Sequence, residues 1–180
     1  MTSASGNLTW EPAARRTDLL APPVVEALGL APSARVAPID ATLADTAAFC
    51  AAYDVGPEHS ANCVVVAGKR AGEVRYAAVM VLASARADVN GAVRRYLDVR
   101  KISFAPHDDA VALTGMEFGG ITPLGLPAHW PVLVDSAVVA AGEVVIGSGI
   151  RASKVLVDAR DLAALPGATV LDLAGPARDS

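Results

Sequence analysis

The sequence predicts a single α/β (α+β) domain, in which helices flank a mixed, largely antiparallel curved sheet. Three observations predict it. The 180-residue chain has the length of one domain and is 53% hydrophobic, enough to bury a substantial core. Beyond Gly56 the apolar pattern changes from helical spacing to short β-branched runs separated by Gly, Pro or charged turns. Strands outnumber helices and few helices separate them, which favours a mixed or antiparallel sheet over a doubly wound one.

Residues 1–21 are polar, mixed and unpatterned, and read as a flexible N-terminal arm. Residues 22–170 carry the domain, and 171–180, ending AGPARDS, read as a tail. PPVVEALGL is a short helix, with Pro22 and Pro23 near its start and Gly29 at its end. In IDATLADTAAFCAAYDVG, residues Leu43, Ala47, Cys50 and Ala51 recur at helical spacing, with Asp40 as cap and Gly56 as terminator. NCVVVAG, EVRYAAVMVLAS, AVALTG, WPVLVDSAVV, EVVIGSG and KVLVDA read as strands. DVNGAVRRYLDVRK, between the second and third of these, is an amphipathic helix with Val89, Val93, Tyr96 and Leu97 on one face. APHDDA reads as a turn and DLAAL as a last short helix.

Composition excludes several classes of function. No apolar run approaches the roughly 20 residues that span a bilayer. The start, MTSASGNLTWEPAARR, lacks the apolar core of a secretory signal, so a cytoplasmic location is expected and no membrane partner. Net charge is −4, which does not advertise nucleic-acid binding by the molecule as a whole. Locally, however, Arg86, Arg94, Arg95, Arg100 and Lys101 face only Asp88 and Asp98, giving either a solvated helix face or a modest basic one. The two cysteines, Cys50 and Cys63, form no CxxC and have no nearby His pair, so buried free thiols are expected. His59 lies four residues before Cys63, but Cys63 opens CVVVAG and reads as a strand residue. His107, Asp108 and Asp109 are adjacent and cannot all point at one ion, so neither a metal nor a cofactor is expected. There is no GxSxG, Walker loop, HExxH or GxGxxG.

One uncharged stretch, GGITPLG at 119–125, packs three glycines and a proline into seven positions. Alone it reads as a turn. Its setting says more. A helix containing ADTAAF leads into the apolar strand ANCVVV, and later come VALTGMEFGGITPLG, PVLVDSAV and VVIGSGIRASKVLV in that order. Over residues 22–165 this series resembles the YbaK family and the editing insertion of bacterial prolyl-tRNA synthetases, whose GxxxPxG loop matches Gly119, Pro123 and Gly125. The resemblance implies that fold, and an open cavity that receives the aminoacylated 3′ end of a tRNA.

Hydrolysis of a mischarged ester in trans is the activity the resemblance implies. The alternative is a binding module that keeps the cavity without the chemistry and recognises an aminoacylated end or an aminoacyl-like small molecule. By this resemblance the catalytic positions are Asn62, Gly119 and Gly120. Substrate-binding positions are Ile121, Thr122, Pro123, Gly125, Asp135, Gly147 and Ser148, while Arg94 and Arg95 meet the tRNA backbone. The family carries a lysine where this chain has Asn62, and its later serine aligns on Gly147 or Ser148. An amide stabilises an oxyanion or phosphate less than an ammonium does. A specificity pocket would draw on residues near Leu43, Phe49, Met80 and Phe118, each of which reads in the first place as a core residue. The oligomeric state, monomer or homodimer, stays open.

Overall fold

The N-terminal residues do not form a loose arm. In the computed structural model, which describes residues 2–175, they pack against the rest of the chain. Ala4, Ala13, Leu20 and Ala21 are buried, and Trp10 Nε1 donates to the Ser5 carbonyl at 2.9 Å. Strand β1 (Glu11–Pro12) pairs antiparallel with β2 (Arg35–Pro38). The segment buries mostly small, scattered side chains, which leave no periodic trace in the sequence.

Helix α1 (Pro22–Ala27) starts on its proline pair as expected. Asp40 does cap, but what it caps is a short 3₁₀ turn, its carboxylate accepting from Thr42 N at 2.9 Å. The helix α2 (Thr46–Tyr53) begins later and stops at Asp54, whose φ of 55° is left-handed, before Gly56 is reached. Strands β3 (Ala61–Arg70) and β4 (Glu73–Leu82) form the central hairpin through Ala71 and Gly72, both at positive φ. A two-residue strand β5 (Arg86–Ala87) follows.

The expected helix over 88–101 is much shorter. Asp88 accepts from Gly91 N and Ala92 N at the head of a π-helical turn, which leads into α3 (Arg94–Leu97) and stops at left-handed Asp98. Lys101–Phe104 then forms an unanticipated strand, β6. AVALTG is not a strand. It is most of α4 (His107–Thr114), which Pro106 precedes and which carries Asp108 and Asp109 in its first turn, where carboxylates favour a helix N-terminus. Gly115, at φ 67°, closes it. WPVLVDSAVV divides at Asp135 into β7 (Val132–Asp135) and α5 (Ser136–Ala140). Next come β8 (Glu143–Gly147), β9 (Ser153–Asp158) and α6 (Ala159–Ala163). The chain then enters β10 (Ala168–Leu171) and β11 (Ala174–Gly175). The expected tail is therefore ordered as far as Gly175, with Leu173 buried; the last five residues, PARDS, lie outside the described residues.

The strands form two principal sheets, not one. The larger has the order β10-β7-β4-β3-β6, with β10, β7 and β4 parallel and β4, β3 and β6 antiparallel. The other, β1-β2-β9-β8, is antiparallel throughout, and β11 pairs with β5 in a short ribbon. A bridge from Ser60 to Val145 brings the head of β3 beside β8. Alternation along the strands gives the large sheet two apolar faces. Ala78, Met80, Val132 and Val134 pack with Val24, Val138 and Leu162 in the main core. On the opposite face, Val66, Ala77, Val79, Val81 and Leu133 meet Val89, Val93 and Leu97. No helix among the described residues is long and apolar enough to cross a membrane.

Candidate functional site

Where the two sheets meet, the outer edge of β3 is left open. Its pairing with β6 starts only at Val66, and Ser60 is bridged to Val145, so residues 61–64 have no strand ladder on that side among the described residues. A cavity of about 350 Å³ opens against this edge. Residues 61–65 of β3 form one wall, and Val145, Ile146 and Gly147 of β8 another. Ala44, Asp45 and Thr46 at the head of α2 complete it, with Phe118, Gly119 and Ile121 from the glycine loop. An open strand edge presents backbone donors and acceptors directly to a ligand.

Two loops are laced back to back at the cavity. Glu117 N donates to Gly149 O at 2.9 Å and Gly149 N to Gly120 O at 2.7 Å. This approach requires glycine. A Cβ on Gly120 would lie 2.7 Å from the Ile150 carbonyl, and one on Gly147 would collide with the carbonyl of Gly120. Gly120 N–H is taken by Glu117 O at 2.9 Å, whereas among the described residues the N–H groups of Gly119 and Ile121 have no acceptor. Arg151 ties the loop down, donating to Phe118 O and to Ala41 O at 3.3 Å each, with Asp45 Oδ1 3.6 Å away.

The cavity also holds a cation that reading the sequence missed. Lys154, on β9, is only 9% exposed, and its Nζ donates to Ala44 O at 3.1 Å and lies 5.2 Å from the centre of the Phe49 ring. A lysine has three N–H donors, so this bond leaves others to face the cavity. Burial lowers its affinity for a proton below that of an ordinary lysine. Asn62 sits across the same short segment, where Thr46 Oγ1 donates to its Oδ1 at 2.7 Å. Segment 44–46 therefore holds both groups. The nearest sequence signal was the GSGIRASK run itself, in which Lys154 reads as an ordinary strand residue.

The remaining expected residues divide. Asn62, Gly119, Ile121 and Gly147 line the cavity together, with Phe118. Thr122 is fully buried outside it, and its hydroxyl has no partner among the described residues. Pro123 and Gly125 line a different hollow, with Pro23, Leu30 and Trp130; a Cβ on Gly125 would strike the Pro23 carbonyl, so this glycine serves loop packing. Asp135 is buried, and its Oδ1 accepts from Leu173 N at 2.8 Å. Ser148 is also buried, bonded to Ile150 O at 3.0 Å and to Ser153 Oγ at 2.7 Å, which makes it a brace of the loop. Arg94 and Arg95 are exposed on α3, which covers the Val66–Val79 face, away from the core that contains Ala61, Ile121 and Ile146. Leu43 and Met80 do not line the cavity; Phe49 lies beneath Lys154.

Cys63 lines the cavity, but burial pushes its thiol up to about 12, so at neutral pH it is protonated and a poor nucleophile. Burial raises Cys50 too. Among the described residues, no three His, Cys, Asp or Glu side chains gather as a metal would need.

A family model described as the aminoacyl-tRNA editing domain matches residues 40–165, a span that contains every residue lining the cavity. Among solved structures, a protein proposed as a trans-editing enzyme for prolyl tRNA synthetase superposes with a TM-score of 0.73 at 23% identity, over 93% of this chain and 99% of its own. A structure from work on epitope backbone grafting onto scaffold proteins gives 0.72 at 24% identity, over 92% and 99%. The hypothetical protein APE2540 gives 0.68 at 23% identity, over 79% and 91%. At these identities the superpositions establish a shared fold. No curated protein matches the chain significantly.

Proposed function

Because the chain belongs to the aminoacyl-tRNA editing domain family, we propose that it hydrolyses, in trans, the ester joining a wrong amino acid to the 3′ end of a tRNA. One observation carries this reading. A buried ammonium, an open strand edge and loop N–H groups that have no acceptor among the described residues line one cavity.

Ester hydrolysis passes through a tetrahedral oxyanion, and donors fixed in advance stabilise that charge most when water is scarce. The N–H groups of Gly119 and Ile121 are such donors, and Lys154 supplies positive charge to the same space. Asn62, its Oδ1 held by Thr46, turns its amide N–H toward a substrate oxygen. Asp45, the carboxylate among the lining residues, orients the attacking water. Water adds to the carbonyl carbon, the carbonyl–ribose oxygen bond breaks, and the ribose oxygen leaves with a proton. The products are free amino acid and tRNA. No protein nucleophile is needed, in keeping with the protonated Cys63.

The test is a panel of mischarged tRNAs, each followed for loss of the aminoacyl label. Turnover of at least one, above the spontaneous rate, is expected. Silence across the panel overturns the proposal; binding without turnover replaces hydrolysis by recognition of the aminoacylated end.

A further inference from the structure

A second hollow, of about 760 Å³, lies beside the cavity and is basic where the molecule as a whole is acidic. Lys69, Arg100 and Lys101 line it, with Tyr76 and Ser103. Lys69 and Lys101 are directly opposed across β3 and β6, a pairing of like charges that destabilises a sheet unless an anion is present. Both are exposed, as is Arg100, and among the described residues none of the three has a carboxylate within ion-pair distance.

The hollow and the cavity share one wall. Ala105 and Ala110 line the cavity while Pro106 and Asp109 line the basic groove, so the turn from β6 into α4 stands between them. Aromatic rings crown this turn. Phe104 is 63% exposed and Phe118 50%, and the His107 ring lies 4.3 Å from that of Phe118, centre to centre. Along β3, the step from Val65 in the cavity to Lys69 in the groove is about 13 Å.

We propose that the groove formed by Lys69, Arg100 and Lys101 is the docking site for the phosphates of the RNA strand that leads into the cavity, with bases stacking on Phe104 and Phe118. The inference rests on the functional reading above. Three cations lining one hollow match a phosphodiester chain, and exposed rings beside them match unstacked bases of any sequence. An acidic peptide would meet the cations but gain little from the rings.

The test is fluorescence anisotropy with a dye-labelled RNA hairpin ending in unpaired CCA-3′, at several salt concentrations. Native protein is compared with the triple variant Lys69→Gln, Arg100→Gln, Lys101→Gln, and with Lys101→Gln alone should the triple variant fold poorly. The slope of log K against log salt is expected to shrink by about 2 in the triple variant and by about 0.7 in the single one. Phe104→Ala is expected to weaken RNA at least about fivefold while leaving polyglutamate binding unchanged. In deacylation by the triple variant, KM for charged tRNA rises and kcat stays. An unchanged slope overturns the proposal, as does polyglutamate competing as well as RNA, or slope loss on Arg94→Gln, Arg95→Gln instead. If RNA binds with a groove-dependent slope but no ester is hydrolysed, the groove stands and hydrolysis falls. If hydrolysis occurs with a slope indifferent to the three side chains, the groove alone falls.

Discussion

At Lys154, stability and chemistry pull in opposite directions. Taking an ammonium out of water costs several kcal/mol, which one carbonyl and one aromatic face offset in part. The folded chain therefore holds a proton here less tightly than the unfolded one. Between the lowered folded value and the ordinary 10.5, the folded state binds fewer protons, so stability rises with pH. Under the proposed mechanism activity runs the other way, because an oxyanion is stabilised by the charged form. Lys154→Met is expected to raise Tm near neutral pH, an advantage that vanishes above about 10.5, and to cut kcat/KM at least about 100-fold, or ~3 kcal/mol. Adding Asn62→Lys to that variant, which returns a cation to the same cavity from β3, is expected to restore part of the rate. A lysine with a merely structural role would not be rescued this way. Calorimetry across pH and single-turnover deacylation read the two halves. Thr122 offers a simpler case. Its buried hydroxyl has no partner among the described residues, so Thr122→Val is expected to hold or raise stability by about 1 kcal/mol in chemical denaturation.

Among the elements, the paired loops 117–121 and 147–151 are the most constrained. Gly120→Ala must push the Ile150 backbone away, and is expected to cost about 1–3 kcal/mol of stability and a larger share of turnover, measured by melting and deacylation. The glycines of this loop were visible in the sequence, but their partners were not. From the residues alone, Gly119–Gly125 was one feature. In the fold it divides, with Gly119 and Ile121 on the cavity and Pro123 and Gly125 against α1. The β3–β4 hairpin shows a different tension, since Ala71 takes a left-handed φ of 51° that alanine disfavours. Ala71→Asn, which makes the turn Asn-Gly, is expected to stabilise by about 0.5–1 kcal/mol in thermal unfolding. Elements misread from sequence were short or ambiguous ones. AVALTG carries apolar residues at spacings that suit either period, and its helical start lay in HDD, which was read as a turn. The four residues of β6 are too few to show a period at all.

For the whole molecule, the N-terminal segment is part of the core. Leu20 and Ala21 pack with Val24, and the Leu19 carbonyl accepts from Ser153 Oγ at 2.5 Å across the chain. Deleting residues 2–21 is expected to abolish a cooperative thermal transition in circular dichroism. The sequence read that segment as an arm because its contacts are made to distant strands. The same reason separates what was legible from what was not. Composition and local period were sufficient for an α/β domain, for the two long strands after Gly56 and for the glycine stretch as a turn, while Asn62 was picked out only by the family resemblance. Each of the first three depends on neighbours within a few residues. Ser148 as a brace, the opposed lysines and the open edge of β3 depend on which strands lie side by side. So does the cation of the cavity. Lys154 reaches the Ala44 carbonyl across 110 residues of chain, and no pattern in the sequence signals that separation. Local order is written in side-chain spacing, whereas the meeting of remote groups is set by how the two sheets share their core.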